Sequence, residues 1–210
     1  MYKIIIFDFN GTLIDDCDLC LQIFNQLCHE NHLKKISKRK YKEIFTFPVS
    51  VYYQKAGFNI DGEEFKNIGN RFHQLYNQLS NEQVKLFKNV KKVLEKLKKD
   101  YTLVCLSASM QQTLENQLKF YQINQYFDYI IGLSNNQAVS KLDAAKTFIR
   151  KKQWNGNEIL FVGDSIHDLE VAKAISSKCL LVSTGHTSKK RLEETGNKVI
   201  KDLIEIVNFL

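Results

Sequence analysis

The sequence predicts an α/β fold with a Rossmann-like parallel sheet core and an inserted all-helical domain. Three observations carry that expectation. Short apolar runs such as Ile4-Ile5-Ile6-Phe7 and Ile159-Leu160-Phe161-Val162 have the length and continuity of strands buried on both faces. From residue 86 onward such runs alternate with amphipathic segments of helical length, the pattern of parallel strands joined by right-handed crossovers. Residues 16–85, by contrast, carry helical periodicity and no run that reads as a strand. The expected division is a core of residues 1–15 and 86–210 interrupted by a helical insertion at 16–85.

Taken in order, Ile4 to Phe7 form the first strand, and the run ends abruptly at Asp8. Gly11 follows three residues later, where the backbone needs a positive φ or a close approach to a ligand. Asp15 or Asp16 is placed to cap a helix running to about Glu30. Short helices are expected over Lys38–Phe45 and Val51–Ala56, with a break at Pro48, the only proline. Asp61–Leu79 reads as a long helix with Phe65, Ile68, Phe72, Leu75, Tyr76 and Leu79 inward. Helices at 89–99, 110–121, 141–151 and 168–176 then alternate with strands at Thr102–Leu106, Tyr129–Ile131, Ile159–Val162 and Cys179–Val182. A short helix, a strand at Lys198–Ile200 and a final helix from Asp202 complete the chain.

The 210 residues are 44% hydrophobic and 25% charged, an ordinary globular balance. The net charge of +7 raises the question of a polyanion partner. Residues 15–85 hold ten Lys/Arg against nine Asp/Glu, so the excess lies in the remainder. There it spreads over helix faces: Val90, Val93, Leu94 and Leu97 recur at helical spacing and leave the neighbouring lysines on a solvated face. Basic and aromatic residues do not interleave, so no nucleic-acid partner is expected. No apolar stretch approaches the roughly 20 residues of a membrane span. No basic-then-apolar leader precedes Asp8, and a cytoplasmic protein, monomer or homodimer, is the expectation. Cys17, Cys20 and Cys28 invite a zinc reading, but on one helix Cys17 and Cys28 would stand about 16 Å apart. The five cysteines read instead as reduced thiols, these three packed as small hydrophobes.

Asp8, Ser107 and Asp164 each stand at or just after the end of a buried strand, and Lys141 begins a helix. In a parallel sheet these ends emerge on one edge, so residues distant in sequence converge there. Two facing carboxylates repel, and a divalent cation between them removes that cost; Mg²⁺ suits such oxygen ligands and commonly binds substrate phosphate too. Ser107 offers a hydroxyl and Lys141 a positive charge, while backbone amides near Gly11 and Ala108 can face an anion. The expected occupant is a phosphoryl group.

These residues resemble the haloacid dehalogenase-like hydrolase superfamily over essentially the whole chain. Asp8-Phe9-Asn10-Gly11-Thr12-Leu13 is similar to its first motif, Asp-x-Asp-Gly-Thr-Leu, and Gly163-Asp164-Ser165-Ile166-His167-Asp168 to its fourth. Ser107 and Lys141 match the second- and third-motif residues, and residues 16–85 stand where the helical C1 cap does. The general likeness is to the phosphoglycolate phosphatase-like branch. The resemblance implies a Mg²⁺-dependent phosphatase acting on a small phosphorylated metabolite, with Asp8 as the nucleophile forming an aspartyl-phosphate. It implies Mg²⁺ held by Asp8, Asp164 and the Asn10 carbonyl with support from Asp168. Phosphate would be bound by Gly11, Thr12, Ser107, Ala108 and Lys141. Thr46, Tyr52, Tyr53 and Arg71 are cap candidates for contacting the leaving group.

Asn10 departs from the pattern. Family phosphatases have Asp there as general acid and base, work worth roughly 10² to 10⁴-fold. An amide orients a group by hydrogen bonding but does not exchange the proton. A phosphatase slow toward alkyl phosphates is expected, less impaired toward aryl or acyl phosphates, and quickened by Asn10→Asp. Two alternatives stay open: a weakly active or non-catalytic phosphate-binding member, and phosphonate hydrolase or dehalogenase-type chemistry.

Overall fold

A computed structural model of the chain describes residues 1–133 and 140–210. Its centre is a parallel sheet of six strands. These are β1 (Ile4–Phe7), β4 (Thr102–Met110), β5 (Tyr129–Leu133), β6 (Ile159–Gly163), β7 (Lys178–Val182) and β8 (Val199–Ile200), in the order β5-β4-β1-β6-β7-β8. The chain runs outward from β1 through β4 to β5, then returns to the other side of β1 and continues through β6 to β8. The strand order therefore reverses around β1, and a crevice opens at the carboxyl ends of β4, β1 and β6, where open α/β sheets bind ligands.

Strand alternation sorts the apolar side chains into two cores. Ile5, Phe7, Leu103, Cys105, Leu160, Val162 and Leu180 face one side, with Val93 and Leu94 of α5 (Val90–Leu97) and Leu114 and Leu118 of α6 (Gln111–Phe120). Ile4, Ile6, Val104, Leu106, Phe161 and Leu181 face the other. That face is covered by Ala144, Ala145 and Ile149 of α7 (Lys141–Lys152) and Leu169, Val171 and Ala172 of α8 (Ile166–Ala174). Both faces are buried, which is why the strands read as unbroken apolar runs rather than as alternations.

Residues between the first two sheet strands form α1 (Cys17–Glu30), α2 (Lys38–Ile44), α3 (Val49–Lys55) and α4 (Gly62–Gln83). Their shared core is aromatic: Phe24, fully buried, lies 5.0–6.1 Å by ring centroid from Tyr41, Tyr52, Tyr53 and Phe58. Burying an aromatic ring of this kind contributes on the order of 2–3 kcal/mol. The cysteines at 17, 20 and 28 are buried and free along α1.

Several expectations from sequence need correction. A short antiparallel ribbon, β2 (Ile14–Asp15) with β3 (Lys85–Leu86), joins the two ends of the helical segment where no strand was expected. Two-residue strands carry too little pattern to read. Asp16 stands at the N-terminus of α1 but makes no capping bond, because its carboxylate is drawn into the site described below. β4 extends past Ser107 to Met110, with a register shift against β5 between Leu106 and Met110. α8 starts at Ile166 because Ser165 and Asp168 form a capping box. The expected final helix is a 3₁₀ turn, Leu203–Asn208, capped by Asp202.

Candidate active site

The ends of β4, β1 and β6 bring together Ser107, Asp8 and Asp164, while α7 and α8 supply Lys141 and Asp168. All five are buried. Lys141 Nζ donates to Asp8 Oδ1 and, at 2.5 Å, to Asp168 Oδ1. The other Asp168 oxygen accepts from Ser165 N at 2.9 Å and Ser165 Oγ at 2.6 Å, so the capping box of α8 also aims Asp168 at the lysine. Asp164 accepts from the His186 backbone N–H at 2.6 Å and from Thr12 Oγ1 at 3.4 Å.

Oxygens of Asp8, Asp164 and Asp168 lie within 4.8 Å of one another, with Lys141 the one lysine bonded to them among the described residues. Burial, and repulsion from the other two carboxylates, push Asp8 up to about 8 despite Lys141. Burial and Asp168 push Asp164 up to about 6 against the pull of His186. Burial works against charge on Lys141, but Asp168 and Asp8 more than offset it and hold the amine charged. The cluster thus has one cation too few, and the oxygens it offers an ion are those of Asp8 and of Asp164, the latter each accepting one hydrogen bond and keeping a second lone pair. A hard divalent cation such as Mg²⁺ fits that donor set and that charge.

Asn10 lies beside this cluster in a saturated network. Its amide donates to Asp16 Oδ2 at 2.8 Å and Tyr76 OH at 3.0 Å, and its carbonyl oxygen accepts from Ser109 Oγ at 3.2 Å and Ser107 Oγ at 3.4 Å. Asp16 also accepts from Tyr76 OH at 2.9 Å, from Gly11 N at 3.0 Å, and bonds His186 Nε2 at 3.0 Å. Burial raises the Asp16 carboxyl, but His186, Asn10 and Tyr76 outweigh it and hold the group below its ordinary value. The same pairing holds His186 well above its ordinary value although burial opposes it. His186 Nδ1 reaches Tyr41 OH on α2 at 3.0 Å. Asp16, His186 and Cys20 cluster closely enough to suggest a second metal, yet they bond one another as an ion pair with a thiol beside it.

Of the residues expected to bind phosphate, Ser107, Ala108 and Lys141 line the cavity beside Asp8. Thr12 does not: its hydroxyl is fully buried and turned to Asp164. The Gly11 N–H is taken by Asp16 and the Ile14 carbonyl, so it is not free for an anion. Gly11 earns its place otherwise, with φ +74° and room for no side chain, since a Cβ would stand 2.6 Å from Asp164 Oδ2.

The cavity has a volume of about 600 Å³, within the range of small-molecule sites. Tyr52 lines it, but the other leaving-group candidates do not. Tyr53 packs inward on Phe24, Phe58 and Phe65. Thr46 bonds the neighbouring Phe47 carbonyl. Arg71 pairs with Glu30 of α1 on the outer surface at 3.1 Å. The wall comes instead from Phe45, Phe47, Phe72, His73 and Tyr76. Sequence reasoning also missed Asp16 and His186. His186 follows the buried strand β7 after a short polar stretch, the same signal that singled out Asp8 and Asp164; Asp16 was masked by its second possible role as a helix cap.

Comparison with known proteins agrees with this geometry. The family model described as haloacid dehalogenase-like hydrolase matches residues 5–182. The pyrophosphatase PpaX of Bacillus cereus is 24% identical over 184 residues, covering 85% of this chain and 82% of that protein. The phosphoglycolate phosphatase of Synechococcus elongatus is 23% identical over 189 residues, covering 90% and 87%. A haloacid dehalogenase-like family hydrolase from Streptococcus pneumoniae superposes with a TM-score of 0.85 at 19% identity, covering 100% of this chain and 99% of that one, a likeness of fold.

Proposed function

The chain belongs to the haloacid dehalogenase-like hydrolase family, and from that premise we propose that it is a Mg²⁺-dependent phosphatase of small phosphorylated metabolites. The observation that carries the reading is Lys141 bridging Asp8 and Asp168 at one end of a cavity, with Asp164 alongside. Relatives named phosphoglycolate phosphatase and pyrophosphatase support phosphoryl chemistry. In this reading residues 1–15 and 86–210 form the catalytic core and 16–85 a C1-type cap, with the β2–β3 ribbon as the joint between them. The five free, buried cysteines suit a cytoplasmic protein.

Asp8 attacks the phosphorus through a carboxylate oxygen and forms an aspartyl-phosphate, which water then hydrolyses. Mg²⁺ held by Asp8, Asp164 and the Asn10 backbone carbonyl would neutralise charge on the phosphoryl oxygens. Lys141 places Asp8 and pulls it toward the ionised form against the burial that raises it, and it stands ready to share its charge with the transferring group. Asp168 fixes Lys141 from the far side. Ser107 supplies a hydroxyl beside the nucleophile. Asn10 orients these groups but carries no transferable proton, so turnover of esters with poor leaving groups is slow. The intact carboxylate cluster favours this reading over a dehalogenase, and among the described residues no lysine of 16–85 lines the cavity to serve a phosphonate hydrolase.

The test is phosphate release from a panel of phosphomonoesters, with Mg²⁺ and with chelator, by this protein and its Asp8→Asn variant. Release that requires both Mg²⁺ and Asp8 supports the reading. Metal-independent release, or release undiminished by Asp8→Asn, refutes it.

A further inference from the structure

Rings make up much of the cavity wall contributed by residues 16–85. Phe45 and Phe47 from the α2–α3 connection meet edge to face at 5.6 Å, and Tyr52 lies 5.3 Å from Phe45. Phe72 and Tyr76 of α4 stack at 6.1 Å with 16° between planes. Phe47 stacks on His167 at 4.8 Å and so joins the helical segment to the core.

The same wall carries no uncommitted cation among the described residues. Lys141 is spent on Asp8 and Asp168. His186 is paired with Asp16, and His167 Nδ1 faces Glu170 at 3.0 Å. Burial pushes His73 below its ordinary value, toward the neutral form. Arg71 is engaged outside with Glu30. The sequence 134–139, Ser-Asn-Asn-Gln-Ala-Val, contains no Lys or Arg. A substrate with a second anionic group, a carboxylate or another phosphate, would have to desolvate it here with no partner and with Asp16 and Glu170 in the lining.

A second, independent observation concerns the leaving group. With an amide at position 10, nothing at that position protonates the departing oxygen. The ester must then leave as a tolerable anion unaided. A phenolate, whose conjugate acid titrates at about 10 as tyrosine does, meets that condition, whereas an alkoxide, whose conjugate acid is as weak as water, does not.

We propose that the ester cleaved at this site is a small aryl phosphate, whose leaving group is an uncharged aromatic ring bearing the bridging oxygen. The inference rests on the phosphatase reading above and narrows it. An Asp8 carboxylate oxygen forms a bond to phosphorus as the bond from phosphorus to the aryl oxygen breaks. That oxygen departs with the electron pair as phenolate and takes its proton from solvent. Water then attacks the phosphorus of the aspartyl-phosphate, returning the Asp8 carboxylate and releasing inorganic phosphate and a proton. The ring stacks among Phe45, Phe47, Tyr52, Phe72 and Tyr76, where aromatic pairs gain beyond the area they bury.

The experiment has two arms, both on the intact protein with Mg²⁺. In the first, kcat/KM is measured for phenyl phosphate, 1-naphthyl phosphate, 2-phosphoglycolate and pyrophosphate. The expected result is at least about ten-fold higher kcat/KM for the aryl esters. In the second, thermal shift titrations compare binding of phenylphosphonate and phosphonoacetate, which are not turned over by this chemistry. Tighter binding of phenylphosphonate is expected, again by about ten-fold or more. Higher kcat/KM for 2-phosphoglycolate or pyrophosphate, or tighter binding of phosphonoacetate, overturns the aryl assignment and leaves the phosphatase reading standing. Turnover of none of the four esters overturns both.

Discussion

Replacing Asn10 by Asp sets a second carboxylate against Asp16. The Asn10 amide nitrogen that now donates to Asp16 Oδ2 stands 2.8 Å from it, and both groups are largely shielded from solvent. Two unit charges at that distance repel by about 6 kcal/mol at an effective dielectric constant of about 20. The pair would escape by holding a proton, which at pH 7 costs about 4 kcal/mol for a carboxyl of ordinary pKa ~3.9. The lost charge-assisted hydrogen bond alone is worth about 1.5–3 kcal/mol. The variant should therefore be destabilised by about 4–5 kcal/mol at pH 7.5, the cheaper of the two routes, with the loss shrinking toward pH 5 as the shared proton becomes easier to hold. Urea unfolding at both pH values measures it. Asn10→Asp combined with Asp16→Asn should recover most of the loss, and the double-mutant cycle gives the coupling between the two positions. The gain in alkyl phosphate turnover expected from the sequence should appear fully only in that double variant. An Asn10→Asp protein as stable as the parent at pH 7.5, with no coupling to Asp16, would show that the two positions do not oppose each other in the fold.

Other consequences can be checked alongside. The folded-state values of Asp8, about 8, and Asp164, about 6, lie above their unfolded values, so folding takes up protons and the metal-free protein should lose stability as pH rises from about 4 to 8. Mg²⁺ displaces those protons, so its thermal shift should be larger at pH 8.5 than at pH 5.5; calorimetry or dye melting at both pH values decides it, and the opposite order would contradict the charge deficit. Lys141→Met removes the lysine from between Asp8 and Asp168 and should lower phosphate release by at least about 100-fold, as loss of transition-state electrostatics does elsewhere. Phe24→Ala empties the centre of the aromatic core and should cost about 3–5 kcal/mol in denaturant unfolding. Arg71→Ala breaks only an exposed pair with Glu30, so the urea midpoint should hardly move and kcat/KM should stay within about two-fold.

The parallel sheet was legible because doubly buried strands leave unbroken apolar runs, and Asp8 and Asp164 stand where two of those runs end. The convergence of Ser107 and Lys141 followed from sheet geometry together with the motif likeness. What the sequence could not place was direction. Arg71 has the chemistry of an anion contact, but the step of about 100° between neighbouring helix positions sends it to Glu30 at the surface while Phe72 and Tyr76 face the cavity. Thr12 and Gly11 sit in the right turn, yet their hydrogen-bonding capacity is consumed inside the protein by Asp164 and Asp16. Asp16 illustrates the hardest case, since a carboxylate ahead of a helix is an ordinary cap and only the positions of His186, Tyr76 and Asn10 turn it inward.

The central claim is that Asp8 accepts the phosphoryl group. Its most direct test is rapid acid quench of the protein turning over 4-nitrophenyl phosphate in Mg²⁺, followed by mass spectrometry of the peptide containing residue 8. A phosphoryl adduct on Asp8 is expected that forms at the rate of nitrophenolate release and is lost in Asp8→Asn. Nitrophenolate release with Asp8 unmodified throughout, or with the phosphoryl group carried on another residue, would contradict it.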